Sequence, residues 1–311
     1  MTNMVIGAEN RDPTAKYWVN RFEYHPMPLD VAIVTAVCSG VLGLLGAIAN
    51  GLVMYLIIQI RRFHQLENLD ILVISLCFSD FLSSIFVQPI IIPRLLARSR
   101  VEEFHSRLTH ASTHFTLVWG SLSLLFITFS RYLSVKFPFY YSHHVSEMKM
   151  YGCLVAIFSA ATGMTLWVIF DGETESSTFP VIISVIFSLT MILQAMIFAI
   201  VCAQNHSIHR QIMSIQHNQS EISRQINTQR GRTNRTILYI CVIYIATWLP
   251  QIIFRICYLF HKNLTFYIQW LHLFNVVIQL HSCINPWLYA LRTSRVKHVL
   301  KQILARIFRR D

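Results

Sequence analysis

Charge is what this chain has least of. Only 13% of its 311 residues are Asp, Glu, Lys or Arg, while 54% are hydrophobic. Soluble domains carry roughly 25% charged residues, so a water-soluble globular fold is excluded. Acid is the scarcer sign, 15 residues against 26 basic ones. No hydrolase, metal-ligand or nucleotide-binding motif is present, which argues against an enzyme and implies no cofactor. No internal repeat is visible, although transporters are commonly built from repeats with paired broken helices. All seven cysteines (Cys38, Cys77, Cys153, Cys202, Cys241, Cys257, Cys283) fall in or at the ends of apolar runs. The connecting segments therefore hold no disulfide framework. Residues 1–28 contain no apolar core, so no cleaved signal peptide is expected there.

What remains is a series of long apolar runs. Seven are long enough to span a bilayer, which takes about 20 residues. They are Leu29–Ile60, Leu69–Leu95, Leu108–Val135, Met150–Phe170, Phe179–Cys202, Thr236–Phe260 and Phe266–Leu291. Backbone polar groups in lipid must be satisfied within the chain, so the runs are helices. The expected fold is an all-α membrane protein, a seven-helix bundle over residues 29–291. A segment of residues 1–28 precedes it and a tail of residues 292–311 follows. In the tail Val296, Leu300, Ile303, Leu304 and Ile307 recur on one face among basic residues, which predicts a short amphipathic eighth helix on the bilayer surface.

Charge sets the orientation. The segments after the first, third, fifth and seventh runs, with Arg131, carry 17 of the 26 Lys and Arg. That side is expected to be cytoplasmic, which puts the amino terminus outside a multi-pass plasma-membrane protein. The basic residues are divided among loops flanking lipid, so the net +11 reports topology and nucleic acid is not an expected partner. Asn263-Leu264-Thr265 is a possible glycosylation sequon in the last outer loop.

Within the runs a few polar residues stand out. Asp80 is the only acid deep inside any of them, and such a charge faces the bundle interior and marks a switch, a pathway or a bound cation. The alternative is a protonated, hydrogen-bonded structural aspartate. Ser130-Arg131-Tyr132 closes the third run, with Pro138 stopping the helix soon after. Arg131 is either held at the membrane face to exchange partners or simply snorkels to water. Thr113 lies 18 residues before Arg131, five whole turns at about 3.6 residues each, so the two share a face. The sixth run contains Trp248-Leu249-Pro250, where the proline bends the helix. Gln251 and Arg255 continue beyond it. The seventh run carries Asn275, Gln279 and Ser282 at helical spacing and then Asn285-Pro286-Trp287-Leu288-Tyr289.

Taken in order, Asn50, Asp80, Ser130-Arg131-Tyr132, Pro138, Trp248-Leu249-Pro250 and Asn285-Pro286 through Tyr289 resemble the rhodopsin-like (class A) G-protein-coupled receptors. The likeness implies a receptor that binds an extracellular ligand and activates a heterotrimeric G protein from within the lipid bilayer. It implies that Arg131 is the switch arginine, with Asn285 and Tyr289 as active-state partners and Trp248 at the pocket floor. The chain departs from the pattern in several places. Ser130 replaces the usual acid before the arginine, and Arg230 and Arg232 stand where an acid often lies. Phe158 or a neighbour replaces the fourth-run tryptophan. Gly120 and His281 stand where Ser and Asn help hold sodium near Asp80, which puts that ion in doubt. The missing outer disulfide and the unkinked fifth run look like the melanocortin-type branch.

For the ligand, Thr113 replaces the aspartate of amine receptors, and no lysine in the seventh run could form a retinal Schiff base. The expected pocket comprises Thr113, His114, Leu117, Trp248, Gln251, Arg255, Asn275 and Gln279. Arg255 suits a carboxylate or phosphate, so a peptide or an acidic lipid is expected. It could equally pair with Asp171, Glu173 or Glu175. A transporter or a non-signalling bundle is the alternative class.

Overall fold

The computed structural model describes residues 28–61, 68–96, 103–170 and 175–215. It also describes 242–243, 245–250, 252–254, 256–257, 273, 276–277 and 279–287. Gln251, Arg255, Asn263, Asn275, Tyr289 and the expected eighth helix lie outside the described residues. Seven helices are numbered here: α1 (Leu29–Arg61), α2 (Asn68–Leu82), α3 (Gln88–Leu96), α4 (Glu103–Lys136), α5 (Pro138–His144), α6 (Glu147–Phe170) and α7 (Glu175–Ile215). A π-helical turn, Ser83–Val87, joins α2 to α3 in one continuous rod. Among the described residues, five stretches are long and apolar enough to cross a membrane: Leu29–Ile60, Asn68–Pro93, Arg107–Lys136, Glu147–Trp167 and Val181–Gln204. They match the first five expected spans. Ile245–Phe254 is a shorter apolar helical stretch within the sixth.

The surface is inverted relative to a soluble protein. On α1 the outward stripe is apolar: Val34 is 58% exposed and Leu44 is 65% exposed. Small polar residues are instead inside, among them Ser75, Ser79, Ser123 and Thr128. Only a hydrocarbon solvent makes that arrangement favourable. The buried hydroxyls are satisfied locally: Thr128 and Thr190 each donate to the carbonyl four residues back, at 2.8 Å. Such bonds inside a helix meet the need for partners without another chain segment.

Three boundaries differ from the apolar runs. The third span's helix begins at Glu103 rather than Leu108, because Glu103, His105 and Arg107 extend the helix beyond the apolar run with polar and charged residues. The fifth was expected to end at Cys202 but α7 runs on to Ile215, into the stretch read as a polar loop. Hydropathy marks where lipid ends, not where helical backbone ends. Pro138 does end the third span, but it also starts α5, sitting in that helix's first turn where a missing N–H costs nothing.

The second span carries a π turn just before a proline. Pro89 follows the π turn, in which the Gln88 N–H reaches back five residues to the Ser83 carbonyl. One residue is absorbed by the wider turn. Gln88, eight positions after Asp80, is therefore restored to the Asp80 face. Glycines in α1 allow that face to come close. A Cβ placed on Gly46 would stand 2.7 Å from Ser84 Oγ and 3.4 Å from Cys283 Sγ. One on Gly43 would stand 3.3 Å from the Gln88 Cβ.

Gly46→Leu is expected to destabilise the receptor by about 1–3 kcal/mol through overpacking. A Cβ on Gly163 meets nothing within 4 Å, so Gly163→Ala is expected to leave stability unchanged or slightly raised. Thermal unfolding of the purified variants in detergent checks both. Equal melting temperatures for the two would contradict this packing.

Candidate functional site

Asp80 sits at the centre of the bundle, 7% exposed. The Ser282 hydroxyl donates to its Oδ1 at 3.0 Å, and the Asn285 side chain also bears on the carboxyl. Its Oδ2 is buried without a partner of good hydrogen-bond geometry. Ser282 does two things at once. Pro286, four residues on, has no N–H to offer the Ser282 carbonyl. That carbonyl is filled instead by Asn50, whose Nδ2 donates to it at 3.2 Å and to the Gly46 carbonyl at 2.9 Å. Asn50, Asp80, Asn285 and Pro286, expected from motifs alone, thus meet around one serine. Ser282 was visible in the seventh-run stripe, but nothing in the sequence told it from its neighbours.

The second and third spans are joined by hydroxyls. Ser79 donates to the Thr116 carbonyl at 3.0 Å, and Ser75 and Ser123 hydroxyls are 3.0 Å apart. Gly120 leaves room for this: a Cβ there would stand 3.0 Å from Ser79 Oγ. The third span therefore offers no side-chain oxygen beside Asp80 at this position. His281, buried, has its Nδ1 3.3 Å from the Thr247 hydroxyl of the sixth span. These residues do not fit sodium coordination of the kind the resemblance implies, and no step below uses that ion.

The missing fourth-span tryptophan has a replacement. Trp119, on the third span, donates its indole N–H to Ser75 Oγ at 2.8 Å. Its ring packs edge-on to Phe158 of the fourth span at 5.5 Å, to Phe115 at 5.3 Å and to Phe78 at 5.6 Å. An edge-to-face cluster of this kind adds about 0.5–1.5 kcal/mol per pair beyond area burial. Trp119 was not singled out from the sequence, because one more aromatic in an apolar run carries no signal.

At the Arg131 end, Ser130 is buried and its hydroxyl lies 3.0 Å from Tyr141 OH on α5. Asn68 donates to the Val145 carbonyl at 2.8 Å, fixing the other end of that segment. Arg131 and Tyr132 are half-buried. Lys136 donates to Tyr132 OH at 2.7 Å and its Nζ lies 5.3 Å from that ring's centre.

At the far end of the third span, Thr113 is half-buried and its hydroxyl donates to the Thr109 carbonyl at 2.7 Å. His114 is buried, its Nδ1 2.6 Å from the His110 carbonyl. A carbonyl only accepts, so Nδ1 bears the proton. The ring meets Phe179 of the fifth span edge-on at 4.0 Å. Leu117 packs against the core. Trp248 is buried between Phe187 at 6.2 Å and His281 at 6.2 Å. Pro250 and Gln279 are half-buried. The structure thus brings His114 and Trp248 against the fifth span. Gln251, Arg255 and Asn275 are outside the described residues, as is Tyr289.

Ser75→Ala should leave the half-buried Trp119 N–H without its acceptor, at a cost of about 1 kcal/mol. Adding Trp119→Phe to it should cost less than the sum of the two single changes, as expected for directly bonded partners. A double-mutant cycle on thermal or denaturant stability in detergent measures the coupling. Strict additivity would mean the pair does not interact.

The model of the 7 transmembrane receptor (rhodopsin family) matches residues 49–289. The match begins beside Asn50 and ends at Tyr289, enclosing the buried centre, the third-span arginine and the sixth-span tryptophan. The chain is therefore a receptor and not an enzyme, a multi-pass plasma-membrane protein of a family whose partners are generally an extracellular ligand and a G protein. It belongs to the rhodopsin family of seven-transmembrane receptors.

Proposed function

We propose that this receptor takes a peptide or an acidic lipid at the Thr113 end of the third span and activates a heterotrimeric G protein at the Arg131 end. The amino terminus is then outside and the basic segments are cytoplasmic, a reading that the charge distribution supports. One observation carries the reading. A single uninterrupted helix, Glu103–Lys136, holds Thr113 and His114 near one end and Arg131 near the other. A stiff helix of that length transmits a small shift at one end to the other.

The proposed pocket is Thr113, His114, Leu117, Trp248, Gln251, Arg255, Asn275 and Gln279. Arg255 supplies the charge that would favour a carboxylate or phosphate. The proposed switch is Arg131 with Tyr132, Asp80, Asn50, Asn285, Pro286, Tyr289, Trp248 and Pro250. Beside Arg131, α5 presents Phe139, 86% exposed, and Tyr140, 53% exposed, as an aromatic surface for the G protein.

Ligand-free signalling follows from Ser130. The residue before Arg131 is neutral and its hydroxyl is held against Tyr141. Ser130→Asp adds a negative charge next to a half-buried arginine, where attraction is stronger than at a surface. A bias of about 1.4 kcal/mol toward the resting state already changes the population ratio about tenfold. Basal nucleotide exchange in reconstituted membranes, at matched receptor amounts, is expected to exceed that of empty membranes. It should fall in Ser130→Asp and vanish in Arg131→Ala, while both variants still reach the surface. Exchange that survives Arg131→Ala intact would refute the coupling role. Solute flux in the same membranes without exchange would instead favour transport.

A further inference from the structure

His110 belongs to neither the proposed pocket nor the proposed switch, yet it stands one helical turn from a pocket residue. It precedes His114 by four positions on α4, an uninterrupted helix from Glu103 to Lys136. Side chains at i and i+4 lie on one face. Two histidines at this spacing are a recurrent way for a helix to grip zinc. Helices that hold no metal show the same spacing, so the geometry of the rings has to decide.

His114 is 7% exposed, and its Nδ1 lies 2.6 Å from the His110 carbonyl. That bond assigns the proton to Nδ1 and makes Nε2 the lone-pair nitrogen of the ring. Metal-binding histidines are oriented in this way, one ring nitrogen donating to a carbonyl while the other meets the ion. The edge contact with Phe179 at 4.0 Å steadies the same ring from the fifth span. The ring centres of His110 and His114 are 6.0 Å apart, with their planes inclined by 30°. A tetrahedral ion with zinc-to-nitrogen bonds of about 2.0–2.1 Å sets two such centres roughly 5–6 Å apart. The pair already has that separation, and a turn of the half-buried His110 ring about its side-chain bonds completes it. His105 does not join them, since its Nε2 lies 3.2 Å from the Ile90 carbonyl, on the second-span side. Among the described residues no set of three or more histidine, cysteine, aspartate or glutamate side chains could hold an ion. A structural zinc site is closed by four protein ligands, whereas a site with fewer takes the rest from water or from a bound molecule. Imidazole suits zinc, copper or nickel, while calcium and magnesium take oxygen ligands.

We infer that His110 and His114 form a two-point site for a zinc-class divalent ion at the Thr113 end of the third span. Water fills the remaining coordination positions until the receptor's ligand supplies an anionic group. The inference rests on the pocket proposed above. It names a second means of holding an acidic ligand there, beside Arg255.

The zinc ion itself is the probe, so the natural ligand need not be known. Full-length receptor without a polyhistidine tag is purified in detergent, stripped with a chelator and dialysed to equilibrium against radioactive zinc. The wild type is expected to bind an ion that His110→Gln and His114→Gln each weaken about tenfold or more, since loss of even an outer-shell partner costs about 10–100-fold. His110→Cys should retain the ion, because a thiolate also ligates zinc. His105→Gln should bind it as the wild type does. Rescue by cysteine separates a ligand from a residue that merely packs, since cysteine fills the space of a histidine less well than glutamine does. Melting temperatures without zinc show which variants fold. Should His114→Gln not fold, the variants at His110 and His105 decide. No zinc bound by the wild type overturns the proposal. Binding that the glutamine variants leave intact, an adventitious ion only, does so too, as does a loss in His110→Gln that cysteine does not restore. Nucleotide exchange is measured separately on the same preparations, so a receptor that couples without the ion is distinguished from a chain that does not couple.

Discussion

A carboxyl group held inside hydrocarbon is the constraint on which the rest of this bundle depends. Asp80 cannot be left bare there, since burying an unsatisfied charge or polar group costs several kcal/mol. The solution runs through Ser282, whose hydroxyl serves Asp80 and whose carbonyl serves Asn50. That carbonyl is available only because Pro286 lacks an N–H. A proline in the seventh span, an asparagine in the first and an aspartate in the second are thus one hydrogen-bonded unit. The small residues follow from it. Gly46 and Gly43 let the first span approach closely enough for Asn50 to reach across. Packing and polar bonding take the place of the hydrophobic effect as the force between helices in lipid.

Departures from the family pattern come with compensating contacts. At the fourth-span position where the family pattern has tryptophan stands Phe158 or a neighbour, and Trp119 on the third span supplies the indole N–H to Ser75 while its ring packs on Phe158. The third span has Gly120 beside Asp80, and Ser79 closes that space by bonding the third-span backbone. Ser130 replaces an acid and turns to Tyr141, which ties the helix after Pro138 to the third span. Each replacement keeps a connection between spans while changing which residue makes it.

The fold was largely legible in the sequence, for a simple reason. Lipid leaves the backbone little choice but helix, so long apolar runs translate directly into spans. Boundaries were less legible where polar residues continue a helix beyond the bilayer, as from Cys202 to Ile215. At the site, Asn50, Asp80, Asn285 and Pro286 were found because prolines, asparagines and acids are rare in apolar runs. Trp119 and Gln88 were not, and Ser282 was seen only as one member of a polar stripe, because each looks ordinary until a neighbour from another span is known. The π turn that reorients Gln88 has no signal beyond the proline that follows it. What a carbonyl freed by proline will bond to is a property of the assembled bundle and not of its local sequence.

The proposed role of the Asp80 centre is switching more than holding the fold. Asp80→Asn tests it most directly, since an amide can still accept from Ser282 but cannot carry charge. Thermal stability of the purified receptor and nucleotide exchange on a reconstituted G protein are measured together on the same preparation. The account predicts a melting temperature close to that of the wild type, with exchange altered about tenfold or more. A large loss of stability with exchange per folded receptor unchanged would contradict it.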